Sequence, residues 1–329
     1  MKICFWLKTN YRLTSIIKDI DIAVEEIKNG NVIALPTETV YGLAANALDA
    51  DAVLKIYEIK DRPKFNPLIV HISKMDDLDK YTVDIPDEIY KLMEKFSPGP
   101  ITYVLKKKDV IPDIVCAGLS TVAVRIPAHK IFNEVLEKTG LPISAPSANR
   151  FGRVSPTRAE DVLQELEGKI DYILDGGKCE IGIESTVVGY GDGGIEILRP
   201  GFITKEDIEE VVGGVAEVSS KSGRVNAPGM IKFHYAPETP LYITNEEFLD
   251  KYKSMENVGI MDFKKFKDPK DLAVNLFSEM RAMDEKGYEY IVTSKVGNEG
   301  IGRAINDRIY KAASGFLINV NDNMKLIEK

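Results

Sequence analysis

IYEIKDRPKFNPLIVHI, residues 56–72, runs from the end of a helix through a short basic loop into a buried strand. Lys60, Arg62 and Lys64 alternate through the loop, and Pro63 and Pro67 stiffen it. Each proline fixes its own φ and pushes the residue before it out of the helical region. A stiff loop carrying cations two apart suits a polyphosphate held in one geometry; a solvated basic surface is the competing reading.

At 329 residues the chain can form two or three domains, each with its own core. The net charge of -8 gives no global field to draw nucleic acid, so a polyanion site must be local. Cys4, Cys116 and Cys179 are odd in number and form no C-x-x-C pair, which argues against a disulfide framework and fits a reducing cytoplasm. With His71, His129 and His234 as the only histidines, no transition-metal site is expected. The apolar run Ile3 to Leu7 is too short for a signal-peptide core, and no stretch is long enough to span a membrane. A cytoplasmic chain is expected.

Outward from the opening stretch, helical spacing is read over 16–28, over about 49–60, from Pro86 to Phe96, around Asn133–Lys138, over 158–167 and over 204–212. Strands are read at Val32–Leu35, Leu68–Ile72, Ile101–Leu105, Val122–Ile126 and Tyr172–Leu174, with a hairpin from 185–190 to 195–198. Helices and strands mixed in this way predict an α/β (α+β) fold. Thr37, Glu38, Thr39 and Tyr41 follow a strand end, where α/β sheets bind ligands, although turn chemistry also favours such residues. Arg125 sits on an apolar strand and needs an anion, either a ligand or an internal carboxylate. The run PISAPSANRFGRVSPT, 142–157, offers Ser144, Ser147, Asn149 and Ser155 at close range for phosphate or ribose. His71 reads as a core histidine, and GYGDGG as a turn, because a strand follows it where a dinucleotide site needs a helix. No P-loop motif occurs.

Residues 213–239 lose periodicity, and their end, APGMIKFHYAP, places Lys232, His234 and Tyr235 together. This reads as an ordered linker or lid between a first domain at 13–212 and a second at 240–329. The second domain reads as a small three-layer, Rossmann-like α/β unit of parallel type. Its strands are expected at 241–244, 259–262 and 290–294, and its helices at 246–254, 270–286 and 302–315.

The motifs PTETVYGL (36–43), K-x-R-x-x-x-N-P-L (60–68), TVAVRIP (121–127), SAPSAN with SPT (144–157), GIESTVV to LRPG (182–201), HYAP (234–237) and GRAINDRIYKAA (302–313) stand in order. Together they resemble the threonylcarbamoyl-AMP synthase family in its two-domain form, a YrdC-like domain plus a C-terminal α/β domain, which implies a twisted open mixed sheet for the first domain. The resemblance covers nearly all of the chain after about residue 14.

It implies synthesis of L-threonylcarbamoyladenylate from L-threonine, bicarbonate and ATP with release of pyrophosphate. That would be the first step of tRNA threonylcarbamoyladenosine modification beside the anticodon, with Mg2+ on the nucleotide and a downstream threonylcarbamoyl-transferase complex acting on tRNA. Carried onto matching positions, threonine would be held by Thr39, His71, Arg125, Ala145 and Ser185. ATP would be held by Arg62, Asn66, Thr121, Ser147, Asn149, Ser155 and Arg199, with Tyr235 reaching in from the linker. Lys60 and Arg62 would neutralise phosphate charge, and no residue is assigned to a metal. In the resemblance Asp61 replaces a glycine, and Gly189 replaces an aspartate. A pure RNA-binding module and a carbamoyl-transfer maturation enzyme are the rival readings. Net acidity speaks against the first, and the lack of cysteine-rich fingers against the second.

Overall fold

A computed structural model describes residues 13–191, 193–217, 234–320 and 323–329. The segment Ile3–Leu7, Cys4, and the linker from 218 to 233 with Lys232 lie outside the described residues, so the lid expectation for that stretch does too.

The first unit is one mixed sheet wrapped by helices. Its strands are β1 (Ser15–Ile17), β2 (Ile33–Leu35), β3 (Gly42–Asn46), β4 (Ile69–His71), β5 (Thr82–Val83), β6 (Ile101–Lys107), β7 (Thr121–Arg125), β8 (Ile143–Ser144), β9 (Tyr172–Leu174), β10 (Thr186–Gly191), β11 (Gly194–Arg199) and β12 (Ala216–Glu217). The sheet order is β1-β9-β2-β3-β8-β4-β7-β6-β10-β11-β12, with β5 beside β6. The helices are α1 (Ile20–Lys28), α2 (Ala50–Lys60), α3 (Leu78–Tyr81), α4 (Asp87–Phe96), α5 (Asp113–Cys116), α6 (Lys130–Thr139), α7 (Ala159–Leu166) and α8 (Lys205–Val212).

Local chemistry sets these boundaries. Asp19 caps α1, and Asp49 caps α2 with its carboxylate on the amides of Asp51 and Ala52. Asp61 ends α2 in the left-handed region, φ 53°, which glycine reaches without strain and aspartate tolerates better than most residues. That conformation accounts for the glycine that Asp61 replaces. Gly189 has an equally local reason: a Cβ there would lie 3.0 Å from Cδ1 of Leu198, so an aspartate would have to displace that leucine.

The structure corrects three expectations here. The helix expected from residue 16 begins at Ile20, because Ser15–Ile17 pair with Tyr172–Leu174 as an edge strand. Gly42, expected to close a loop, instead opens a strand, and the residues Gly42–Asn46 are buried between β2 and β8. They hold no β-branched residue, so burial overrides propensity. Helix α11 (Gly302–Ala312) stops short of residue 315, and the chain turns into a hairpin, Gly315–Val320 with Asn323–Glu328.

That hairpin belongs to the second unit, a five-stranded sheet. Leu241–Thr244 lies at its centre, flanked in parallel by Tyr290–Ser294 and Gly315–Val320. Val258–Met261 lies outside Tyr290–Ser294. The sheet is therefore parallel except at its hairpin edge. Its helices are α9 (Glu246–Leu249), α10 (Pro269–Asp284) and α11. Among the described residues, no helix is long and apolar enough to cross a membrane.

The two units share a core. Val40, Val154, Ile183 and Tyr235 pack with Leu272, Phe277 and Ile305 of α10 and α11. Around this core Arg281 donates to the Val154 carbonyl at 2.5 Å, Arg303 pairs with Glu206 at 2.7 Å, and Asp284 accepts from the amides of Glu238 and Thr239.

Candidate active site

A cleft lies over one face of the short central strands. Ile69 and His71, two apart on β4, both line it, as the alternation of a strand requires. Register places His71 opposite Arg125 of β7 on one side and Ile143 of β8 on the other. Thr37 and Thr39 enter from the turn after β2, where the Thr37 hydroxyl donates to the Val40 carbonyl at 2.6 Å. Gly42 lets the 145–147 loop close in, since a Cβ there would lie 3.0 Å from that of Ala145.

Arg125, Thr39, His71, Ala145 and Ser185 line this cleft together with Arg62, Ser147 and Arg199. Those expected residues therefore converge. Lys60, Asn66, Thr121, Asn149, Ser155 and Tyr235 stand outside the lining.

Arg125 is buried and bonded on three sides. Its Nη1 donates to the Thr39 hydroxyl at 2.9 Å, its Nε donates to the Gly99 carbonyl at 3.2 Å, and its Nη2 lies 2.7 Å from Oε1 of Glu38. Of the two anions weighed for this arginine, Glu38 is the internal carboxylate. His71 Nδ1 faces the Ile143 carbonyl at 3.3 Å. Burial, helped by the Arg125 charge, pushes its imidazole down to about 3, so it is neutral at pH 7.

The basic loop divides by direction. Lys64 faces solvent, whereas Lys60 and Arg62 turn inward. Arg62 donates to the carbonyls of Asn66 and Pro67 at 3.2 and 2.8 Å, which folds the loop around its guanidinium. Burial lowers it to about 10, still charged at pH 7. Lys60 Nζ donates to the carbonyls of Ser147 and Asn149, each at 2.5 Å. Burial, with Arg62 nearby, lowers this amine well below the usual lysine value. Lys60 thereby ties the basic loop to the serine-rich one. Asn149 extends the tie, donating to the carbonyls of Arg150 and Arg153, both at 2.8 Å. Arg199 donates to the Ser185 carbonyl at 2.8 Å and to its hydroxyl at 3.1 Å.

The reading from sequence missed Glu184, and it named Glu38 and His234 without the contacts they make. Glu38 was noted in its motif without a partner. Glu184 lines the cleft, accepts from the Ser155 hydroxyl at 2.6 Å, and pairs with Arg308 at 3.1 Å. His234 lines it too, from the linker end, and burial beside Arg62 and Lys60 keeps it neutral. Tyr235 points away, stacked on Phe277 at 5.3 Å. A carboxylate inside GIESTVV carries no sequence signal of its own; only the buried arginine opposite explains it.

A cleft with three arginines on its lining, in a chain of net charge -8, suits small anionic ligands. The model of the Sua5/YciO/YrdC family, described as "Telomere recombination", matches residues 25–201. The model described as "Threonylcarbamoyl-AMP synthase, C-terminal domain" matches 203–314. A Pyrococcus abyssi threonylcarbamoyl-AMP synthase is 39% identical over 92% of this chain and 96% of its own. The Bacillus subtilis one is 39% identical over 89% and 92%. The crystal structure of P. abyssi Sua5 complexed with L-threonine superposes with a TM-score of 0.86 at 38% identity, covering 91% of this chain and 98% of that one. The chain belongs to the threonylcarbamoyl-AMP synthase family.

Proposed function

We propose that this chain joins L-threonine, bicarbonate and ATP into L-threonylcarbamoyladenylate and releases pyrophosphate, a nucleotidyl transfer. One observation carries the reading: Arg125, Thr39, His71, Ala145 and Ser185 share a cleft with Arg62, Ser147 and Arg199. An amino-acid pocket and a phosphate pocket meet there. Family membership and a threonine-bound relative support it.

In this reading the threonine carboxylate pairs with Arg125 in a charge-assisted contact. Neutral His71 offers an uncharged wall. Threonine's amine and bicarbonate condense to a carbamate with loss of water. A carbamate oxygen then attacks the α-phosphorus, and pyrophosphate leaves. The nucleophile is already anionic, so no Ser-His pair is required. Positioning and charge neutralisation by Arg62 and Arg199 lower the barrier. Lys60 and Asn149 act from behind by fixing the two loops. The Asn66 amide group, buried with no hydrogen-bond partner among the described residues, supports its place as a nucleotide contact.

Among the described residues no three His, Cys, Asp or Glu gather to hold a cation. In this reading magnesium would enter with the triphosphate, and no step is assigned to it. The product would pass in the cytoplasm to a transferase complex acting on tRNA beside the anticodon.

Calorimetric titration of each substrate tests the division of the cleft. Arg125→Met alone strands Glu38 and costs about 3–5 kcal/mol of stability. Arg125→Met with Glu38→Gln should fold normally, keep ATP affinity and lose threonine binding. Arg62→Ala should do the reverse. Equal losses of both ligands in both variants would contradict the assignment.

A further inference from the structure

Behind the nucleotide side of the cleft lies a buried chain of groups drawn from both units. Glu184 lines the cleft; its Oε1 accepts from the Ser155 hydroxyl at 2.6 Å, and its Oε2 accepts from Nε of Arg308 at 3.1 Å. Arg308 comes from α11 of the second unit and is fully buried. Its Nη1 also donates to the Pro200 carbonyl, next to Arg199, and to Asp307 at 3.2 Å. The Tyr235 ring covers its guanidinium, 5.6 Å away. Burial alone would lower this guanidinium, but Tyr235, Glu184 and Asp307 hold it above its ordinary value.

A carboxylate on the wall of a site for a polyanion is a liability. Unpaired, it would repel phosphate oxygens or turn to the nearby arginines and compete for them. Two hydrogen bonds prevent both, one to each carboxylate oxygen.

We propose that Arg308 is a positioning residue for the nucleotide: it neutralises Glu184 and holds its carboxylate away from the phosphates and from the arginines that would meet them. The second unit then backs the nucleotide half of the cleft, without lining it, and does not back the threonine half. This rests on the function proposed above.

The test uses the full chain, a non-hydrolysable ATP analogue and L-threonine, titrated separately, with a melting curve for every variant. Arg308→Met should weaken analogue binding tenfold or more and change threonine binding less than twofold. Adding Glu184→Gln to Arg308→Met removes the stranded charge and should recover analogue affinity to within about threefold of the native chain. A purely structural clamp between the units would show no such rescue. Should Arg308→Met fail to fold, Arg308→Lys keeps the cation and should lose analogue affinity selectively, by at least threefold. Unchanged analogue affinity, or equal loss of both ligands, overturns the inference. A native chain that binds neither ligand would instead overturn the proposed function.

Discussion

At the scale of single residues, the cleft is a set of buried charges whose partners fix their states. Arg125 was legible in the sequence because an arginine on an apolar strand must have an anion. That Glu38 supplies one was not legible, since the two meet only when the turn after β2 folds over the end of β7. His71 gives a pH prediction. Its folded value of about 3 lies below the ordinary histidine value near 6.5. Between those limits the unfolded chain binds the proton and the native one does not, so stability is full above about pH 6.5 and falls as the pH drops toward 3. The slope is ~1.4 kcal/mol per pH unit for this one group. Urea unfolding at pH 4, 5, 6 and 7 should show it, and His71→Gln should flatten it by about that amount. An unchanged slope would mean that His71 is protonated in the fold.

At the scale of elements, most helices and strands were readable because period and caps agreed, as in α2 with Asp49 and in the hairpin around GYGDGG. The failures share one cause, non-local pairing. Ser15–Ile17 carries the same isoleucines that suggested a helix, and only the distant β9 makes it a strand. Gly42–Asn46 is too small and unbranched to signal a strand, yet the sheet closes over it. The site itself was read through its motifs, and Lys60 illustrates the limit. Its place in the basic loop was evident, but its role in tying that loop to the carbonyls of Ser147 and Asn149 depends on tertiary contact. Helix α10 tests how closely elements approach. Gly182 has φ +75°, and a Cβ on it would lie 2.3 Å from the Val274 carbonyl oxygen of that helix. Gly182→Ala should therefore cost ~2 kcal/mol or more through strain and a parted contact. A melting curve within a degree of the native one would contradict this packing.

At the scale of the whole molecule, the second unit is built into the wall of the first. The shared core around Tyr235 and Phe277, the Gly182–Val274 approach and the Arg308–Glu184 pair all lie just behind the cleft. The second unit thus backs the wall of a cleft that the first unit and the linker end line. The most direct measurement is pyrophosphate release from ATP by the full chain, with L-threonine and bicarbonate each omitted in turn. Release that requires both is the predicted result, since in the proposed reaction the attacking oxygen would belong to a carbamate made from the two. Release that proceeds at the same rate without threonine would contradict the central claim.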